Sequence, residues 1–397
     1  DLRLVMECNS LPCFTLQYMY QLDNKFFILI PRMAYLENVT LVIITLLFTY
    51  KTVESKQNGT FPVVESERNG TSRRLSGGCN WFTGKWVFDA SYPLYSYTAC
   101  PFIDPGFNCQ KTGRPDTEYL KYRWQPSSCN LPRFDGIQFL NKWRGKKIMF
   151  VGDSLATNQW LSLLCLLHSS APNSKINVVR TELLSSAIFE EYGLKIFLYR
   201  SLFLVDLDRE NIGMVLKLDS INNGKAWVGM DVLIFETWHW WTHPSPTWNY
   251  IKINNKLYRD MDRLVAFTLG LTTWARWVDS NVDSSKTRVF FVGISPTHND
   301  GRDWGETSSG TCAGKVRPYA GDRYPGGPQM GSNVVRNVLK IMKRPAYLLD
   351  ITALSQYRID AHPSRYSGGH PGNDCSHWCV PGLPDTWNHL LSVALYG

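Results

Sequence analysis

The chain has 397 residues, of which 44% are hydrophobic and 19% charged, with a net charge of +8. That composition supplies one large core or two smaller ones and excludes an intrinsically disordered chain. The 42 Lys and Arg are dispersed, with no basic tract of the kind that marks a nucleic-acid footprint; no nucleic-acid partner is expected, and a mildly basic surface suits an anionic partner such as an acidic polysaccharide.

Residues 1–32 form an N-terminal extension with no interpretable pattern. Met33 stands just ahead of the apolar run Asn38 to Tyr50 (NVTLVIITLLFTY), so translation is expected to start at or near it. About a dozen apolar residues is short for a membrane span and suits the core of a signal peptide or a short signal-anchor, which assigns 33–50 to that role. If the run is uncleaved, the remainder lies on the lumenal side. Residues 51–78 are polar and rich in Ser, Asn, Glu and Lys, and read as a linker or stalk. Sequons stand at Asn38, Asn58 and Asn69.

Texture changes at Cys79. Of ten cysteines (Cys8, Cys13, Cys79, Cys100, Cys109, Cys129, Cys165, Cys312, Cys375 and Cys379), the eight from Cys79 onward are an even set, and none falls in the paired CxxC spacing of a zinc site. Together with the sequons they favour a disulfide-bonded protein of the secretory pathway, with no metal. Residues 79–145 hold four cysteines and many aromatic residues but few periodic runs, as in a loop-rich, cross-linked module packed on something larger. From 146 to 397 strand-like and helix-like stretches alternate. KIMFV, KIFLYR, VLIFET, RVFFVGI and AYLLDI read as strands; 155–168, about 256–279, about 330–343 and roughly 384–395 read as helices. Such alternation predicts an α/β fold with a mainly parallel sheet covered on both faces.

The first of these strands runs into Gly152-Asp153-Ser154 and then a helix. A sharp glycine turn between strand and helix exposes a hydroxyl at the carboxyl edge of a sheet, beside a helix N-terminus that favours negative charge. Asp153 or Ser154 could equally be a plain helix cap. A second piece bears on the choice. Asp374 and His377 are three residues apart in NDCSHWCVPGLPDTW, which puts carboxylate and imidazole on one side of a single turn, bracketed by Cys375 and Cys379. A serine needs such a base to become a nucleophile, although a structural knot would share the pattern. Trp238, His239, Trp240 and Trp241 follow the end of a strand, where they serve either as sugar contacts or as interface packing. Arg358 or His362, in YRIDAHPSRY, either positions substrate or belongs to a structural loop.

These motifs resemble the SGNH (GDSL-type) esterase superfamily and, more narrowly, the plant trichome-birefringence-like family, in the clade named for powdery-mildew resistance. The resemblance rests on GDSL at 152–155, DxxH at 374–377, CNWFTGKWVFDASYPLY, CPFIDPGFNCQKTGRPDTEYLKYRWQP, CNLPRFD, WHWW, ISPTHN and DITALSQYRIDAHPSRY, and covers about residues 79–396. It implies an SGNH-like α/β/α sandwich plus a smaller disulfide-linked N-terminal module. It implies Ser154 as nucleophile, His377 as base and Asp374 as its orienter, with Gly152, Asn158, Glu236 and Thr237 near the oxyanion or substrate. It also implies the pairs Cys79–Cys129, Cys100–Cys165, Cys109–Cys379 and Cys312–Cys375. The activity implied is O-acetylation of a cell-wall polysaccharide in the Golgi lumen by a single-pass type II protein, with no bound cofactor and an acetyl donor of unspecified identity. Two alternatives stand beside it: acetylesterase action with the same triad, secreted to the wall, and a catalytically weak polysaccharide-binding protein. This chain departs from many relatives in having Thr157 where they carry Arg, and Glu236 where they carry Asn.

Overall fold

Ile148 to Val151 is apolar at every position, the pattern of a strand buried on both faces. In the computed structural model that stretch is the central strand of a seven-stranded sheet. The structure describes residues 3–4, 18–19, 79–243, 247–368 and 372–396. Residues 1–69 and 70–397 form two units. Of the first, the structure describes β1 (Arg3–Leu4) and β2 (Tyr18–Met19), an antiparallel pair. The expected signal segment and stalk, 33–78, and the three sequons lie outside the described residues.

The second unit opens with β3 (Gly84–Phe88) and β4 (Tyr122–Pro126), an antiparallel pair, followed by α1 (Gly136–Lys142). Then come β5 (Lys147–Gly152), α2 (Ser154–Ser170), β6 (Ile176–Val179), β7 (Leu184–Phe189), β8 (Leu194–Arg200), β9 (Asp206–Glu210), β10 (Gly213–Lys217) and β11 (Val232–Glu236). The chain continues through α3 (His239–Thr242), β12 (Tyr250–Ile253), β13 (Lys256–Tyr258), α4 (Arg263–Asn281), β14 (Arg288–Val292), α5 (Met330–Ile341), β15 (Tyr347–Leu349), α6 (Thr352–Gln356) and α7 (Leu383–Tyr396). The large sheet has the order β15-β14-β11-β5-β8-β7-β6. Its first five strands are parallel, and β7 and β6 extend it as antiparallel neighbours.

Side-chain alternation along β5 divides the core in two. Ile148 and Phe150 face a core shared with α2, α7 and the N-terminal module, while Met149 and Val151 face a core shared with α4 and α5. The fold is therefore an SGNH-like α/β/α sandwich. No helix among the described residues is long and apolar enough to cross a membrane.

The expected helix at 256–279 is shorter than its pattern. Residues 256–258 are β13, which pairs with β12 through Asn254 and Asn255 at φ of 50° and 60°. Two asparagines tolerate this left-handed turn and so favour a hairpin. The helix begins only after Asp262, whose carboxylate caps Val265 N–H at 2.9 Å. β12 and β13 belong to a second sheet, of order β13-β12-β10-β9, which the sequence did not suggest: β9 is too polar, its charges answered by Lys217 on β10.

The disulfides are Cys79–Cys129 within the N-terminal module, Cys100–Cys165 from that module to α2, Cys109–Cys379 across 270 residues, and Cys312–Cys375. A bridge of this kind stabilises by roughly 2–4 kcal/mol. A buried polar knot adds to them. Asp385, in the first turn of α7, accepts hydrogen bonds from Tyr95 Oη (2.8 Å), Ser162 Oγ (2.6 Å) and Gly382 N–H (2.9 Å). Burial pushes its carboxyl up to about 6, against the pull of those donors. A raised folded value means that stability is lost as pH rises from the ordinary carboxylate range through about 6. Asp385→Asn should therefore gain on the wild type between about pH 4 and pH 7, by roughly 1–3 kcal/mol. Denaturant melts at the two pH values check this; an equal difference at both would refute it.

Candidate active site

The site lies at the carboxyl edge of the large sheet, where β5 turns into α2. Gly152 sits between β8 and β11, opposite Arg200 and Glu236 in register. A Cβ there would come within 2.3 Å of the Glu236 carbonyl oxygen and 2.9 Å of Ala156 Cβ, so only glycine permits the close turn. Asp153 is the N-cap of α2, its Oδ1 accepting Leu155 N–H at 2.9 Å. Ser154 is the first residue of the helix and remains partly exposed. The two readings of the motif are thus divided between two residues: Asp153 caps, and Ser154 is left free.

His377 comes from the loop before α7. Its Nε2 accepts from Ser154 Oγ at 2.7 Å, and its Nδ1–H donates to Asp374 Oδ2 at 2.7 Å. Asp374 Oδ1 also accepts the backbone N–H groups of Ser376 and His377, each at 3.0 Å. This Asx-type turn explains the three-residue spacing: one carboxylate folds the loop with one oxygen and orients the imidazole with the other. Burial raises the Asp374 carboxyl, but the hydrogen bond and charge of His377 and the two amides outweigh it, leaving Asp374 well below the usual carboxylate range. The arrangement can deprotonate a hydroxyl, hold the resulting imidazolium against an ionised carboxylate, and present the oxygen at the positive end of a helix.

The loop is pinned from several sides. Asn158, fully buried on α2, accepts Trp378 N–H at 2.8 Å and donates to Trp378 carbonyl at 3.0 Å. Trp378 Nε1–H donates to Ser295 Oγ at 2.9 Å. From the N-terminal module, Phe107 places its ring 5.2 Å from the His377 ring, and its carbonyl accepts Val380 N–H. Arg114 donates to the carbonyls of Asp360 and His362. His362 Nδ1 lies 2.6 Å from the His377 carbonyl oxygen and its Nε2 2.6 Å from His298 Nδ1, while His298 Nε2 lies 3.0 Å from the Gln356 carbonyl oxygen. Burial pushes both imidazoles down, His298 to about 4.

Several expected contact residues are enclosed. Asn158 is fully buried, with both ends of its amide turned onto the Trp378 backbone. Thr237 donates to Leu202 carbonyl at 2.6 Å and accepts from Trp241 Nε1, so it fixes the loop after β8. Trp241 is fully buried against Phe203 and Phe267, and Trp238 packs on Phe267. Arg358 is 1% exposed, paired with Asp360 and lying over the Trp86 ring, and so clamps the N-terminal module. His362 is stacked on Trp378, with ring centroids 3.8 Å apart. Glu236 is buried with neither carboxyl oxygen hydrogen-bonded. His239 and Trp240 keep partial exposure; His239 Nε2–H donates to Ser295 carbonyl at 3.0 Å, and Trp240 stacks on His243. Phe107, Arg114, Ser295 and His298 were missed as supports. Their only sequence signal was membership of the quoted motifs, which assigned them no role. No group of His, Cys, Asp and Glu among the described residues is placed to hold a metal ion.

Sequence comparisons agree with this architecture. Residues 131–394 match PC-Esterase, the GDSL/SGNH-like acyl-esterase family found in Pmr5 and Cas1p, and residues 77–130 match the PMR5 N-terminal domain. The chain is 60% identical over 323 residues to protein trichome birefringence-like 39 of Arabidopsis thaliana, covering 81% of this chain and 88% of that protein. It is 57% identical to trichome birefringence-like 38 (81% and 85% covered) and 57% identical to trichome birefringence-like 40 (81% and 89% covered), both from the same plant.

The Asn158–Trp378 pair generates a prediction. Asn158→Ala leaves two buried backbone groups unpaired, which costs about 1–3 kcal/mol. Releasing Trp378 also moves His377, and a displacement of about 1 Å costs on the order of 10²-fold in rate. Labelling of Ser154 by a serine-reactive phosphonate should slow by that order while the variant still melts cooperatively. Wild-type labelling would show that Asn158 does not position His377.

Proposed function

The chain belongs to the trichome birefringence-like family, its PMR5-type N-terminal domain followed by a GDSL/SGNH-like acyl-esterase domain, and on that premise we propose that it moves acetyl groups onto hydroxyls of a plant cell-wall polysaccharide, of the pectin or xylan class, through an acetyl-serine at Ser154. The observation that carries this reading is the unbroken hydrogen-bond chain from Asp374 through His377 to Ser154.

In the proposed cycle His377 Nε2 takes the Ser154 proton as Oγ attacks the acetyl carbonyl of the donor. The tetrahedral oxyanion is met by N–H groups at the first turn of α2, where the helix dipole also favours it. Collapse expels the donor's leaving group, which takes the proton from His377, and leaves acetyl-Ser154. A sugar hydroxyl then gives its proton to His377 and attacks the acetyl carbon, and Ser154 departs with that proton. Asp374 keeps the imidazole in the required tautomer and supports its charge. The partly exposed Trp240 is suited to packing against a sugar face. A second reading, a polysaccharide acetylesterase with water as acceptor, is favoured by the acyl-esterase description of the matching family. Four disulfides support passage through an oxidising compartment. With the apolar run at 38–50 they favour a Golgi-lumenal enzyme on a signal-anchor, or one secreted to the wall.

The test incubates the lumenal portion with an acetyl donor and pectic or xylan oligosaccharides, read by mass spectrometry. A gain of about 42 mass units per acetyl replacing hydrogen supports transfer; loss of that mass from acetylated oligomers in water supports the esterase; neither change refutes both. Ser154→Ala should abolish the reaction, His377→Ala should be nearly as damaging, and the double variant little worse, because the residues act as one unit. Multiplicative losses in the double variant would contradict the assignment.

A further inference from the structure

β11 ends on Glu236, whose partner across the ladder is Gly152. Alternation from Val232 and Ile234 puts the Glu236 side chain on the face covered by α2. Because residue 152 has no side chain, the end of β11 and the first turn of α2 close directly on one another. Glu236 is 4% exposed, and Asp153, one residue beyond Gly152, is 1% exposed. Both oxygens of Glu236 and Oδ2 of Asp153 are buried without a hydrogen-bond partner. Among the described residues the charge that bears on Glu236 is that of Asp153.

Two ionised carboxylates in one dry site are strongly disfavoured. We propose that Glu236 and Asp153 form a carboxyl pair holding a single proton, with Glu236 the neutral acid and Asp153 the anion, and that Glu236 acts in this way as a positioning residue for the turn that carries Ser154. The proton goes to Glu236 because the two environments differ. Burial raises the Asp153 carboxyl as well, but His239 and the Leu155 N–H at the positive end of α2 pull it back, whereas Glu236 has no donor and no such pull. Burial, and then the Asp153 charge, push the Glu236 carboxyl well above its ordinary 4.5.

The surrounding groups agree with that division. From the N-cap of α2 comes Asp153. The first turn of α2 brings Ser154, Leu155 and Ala156, and the chain that continues β14, the strand paired with β11, runs through Gly293, Ile294 and Ser295; none of these carries a charge. The α3 residue His239 and the loop residue His377 act on Asp153, and His239 also lies in the field of Asp374. One negative charge under the turn therefore faces His377, which needs support when it accepts a proton. A second charge would oppose the oxyanion at the α2 N-terminus. The consequence for rate rests on the acyl-transfer reading; the protonation state does not.

Glu236→Gln keeps the shape and removes the titration, and Glu236→Met does the same without a polar group, should the amide prevent folding. Melting curves without substrate read the pair directly. Because the folded state holds the Glu236 proton above 4.5, the wild type should lose stability relative to either variant as pH rises past that value. A melting-temperature gap that widens with pH supports the pair, and a gap constant across pH overturns it. Labelling by the serine-reactive phosphonate then reads the positioning role: wild-type labelling of Ser154 should fall on the alkaline side, while the Glu236→Gln rate stays level and within about threefold of the wild type at neutral pH. Superimposable pH profiles would overturn that role. A widening gap in a chain that transfers no acetyl group would leave the carboxyl pair standing and refute the transfer reading alone.

Discussion

The geometry of the site depends on two hydrogen bonds between the Asn158 side chain and the Trp378 backbone. His377 lies 223 residues from Ser154 in sequence yet must meet it at 2.7 Å. Ser154 opens α2 and Asn158 lies one turn further along the same helix, so whatever Asn158 holds is held in register with the serine. It holds the residue next to His377. The Asp374 turn then fixes the imidazole's rotation, with one carboxylate oxygen on the backbone and the other on the ring. Pairing these groups in the interior has a cost in desolvation, offset because every polar atom of the Asn158 amide that faces Trp378 is matched.

The N-terminal module belongs to this arrangement as a wall and a clamp. Phe107 lies against the His377 ring, Cys109 is joined to Cys379, and Arg114 binds the carbonyls of Asp360 and His362. Arg358 returns the contact by reaching Tyr119 carbonyl and the Trp86 ring. The loop carrying Asp374 and His377 is thus fixed by the helix on one side and by the module on the other. A catalytic group held from both sides loses little freedom when substrate binds, which is what a preorganised base requires.

Much of this architecture is legible in the sequence where a local pattern has only one physical outcome. The apolar runs that became β5, β8, β11, β14 and β15 could be buried on both faces only in a covered sheet. Gly152-Asp153-Ser154 and the Asp374–His377 spacing encode a turn and a cap, and the structure places those groups within hydrogen-bond distance of one another. What was not legible depends on distant packing. Arg358, His362, Asn158 and Thr237 look like solvent-facing contact residues because they are polar and sit in motifs near the site. Their burial is created by Tyr119, Trp378 and Leu202, none of which is near them in the chain. The second sheet was hidden for the converse reason, since strands as polar as β9 show no alternation to betray them. Glu236 combines both problems: a charged residue in an apolar strand, whose meaning appears only once Gly152 and Asp153 lie beside it.

The account stands on Ser154 carrying the acetyl group in transit. The direct measurement is rapid quenching of the purified chain with an acetyl donor, followed by peptide mass spectrometry of the segment spanning Ser154, before and after addition of oligosaccharide. The account predicts an acetyl group on Ser154 that accumulates without acceptor and disappears as the oligosaccharide gains it. Transfer to the oligosaccharide at full rate with Ser154 never acetylated, or acetylation at another residue, would contradict it.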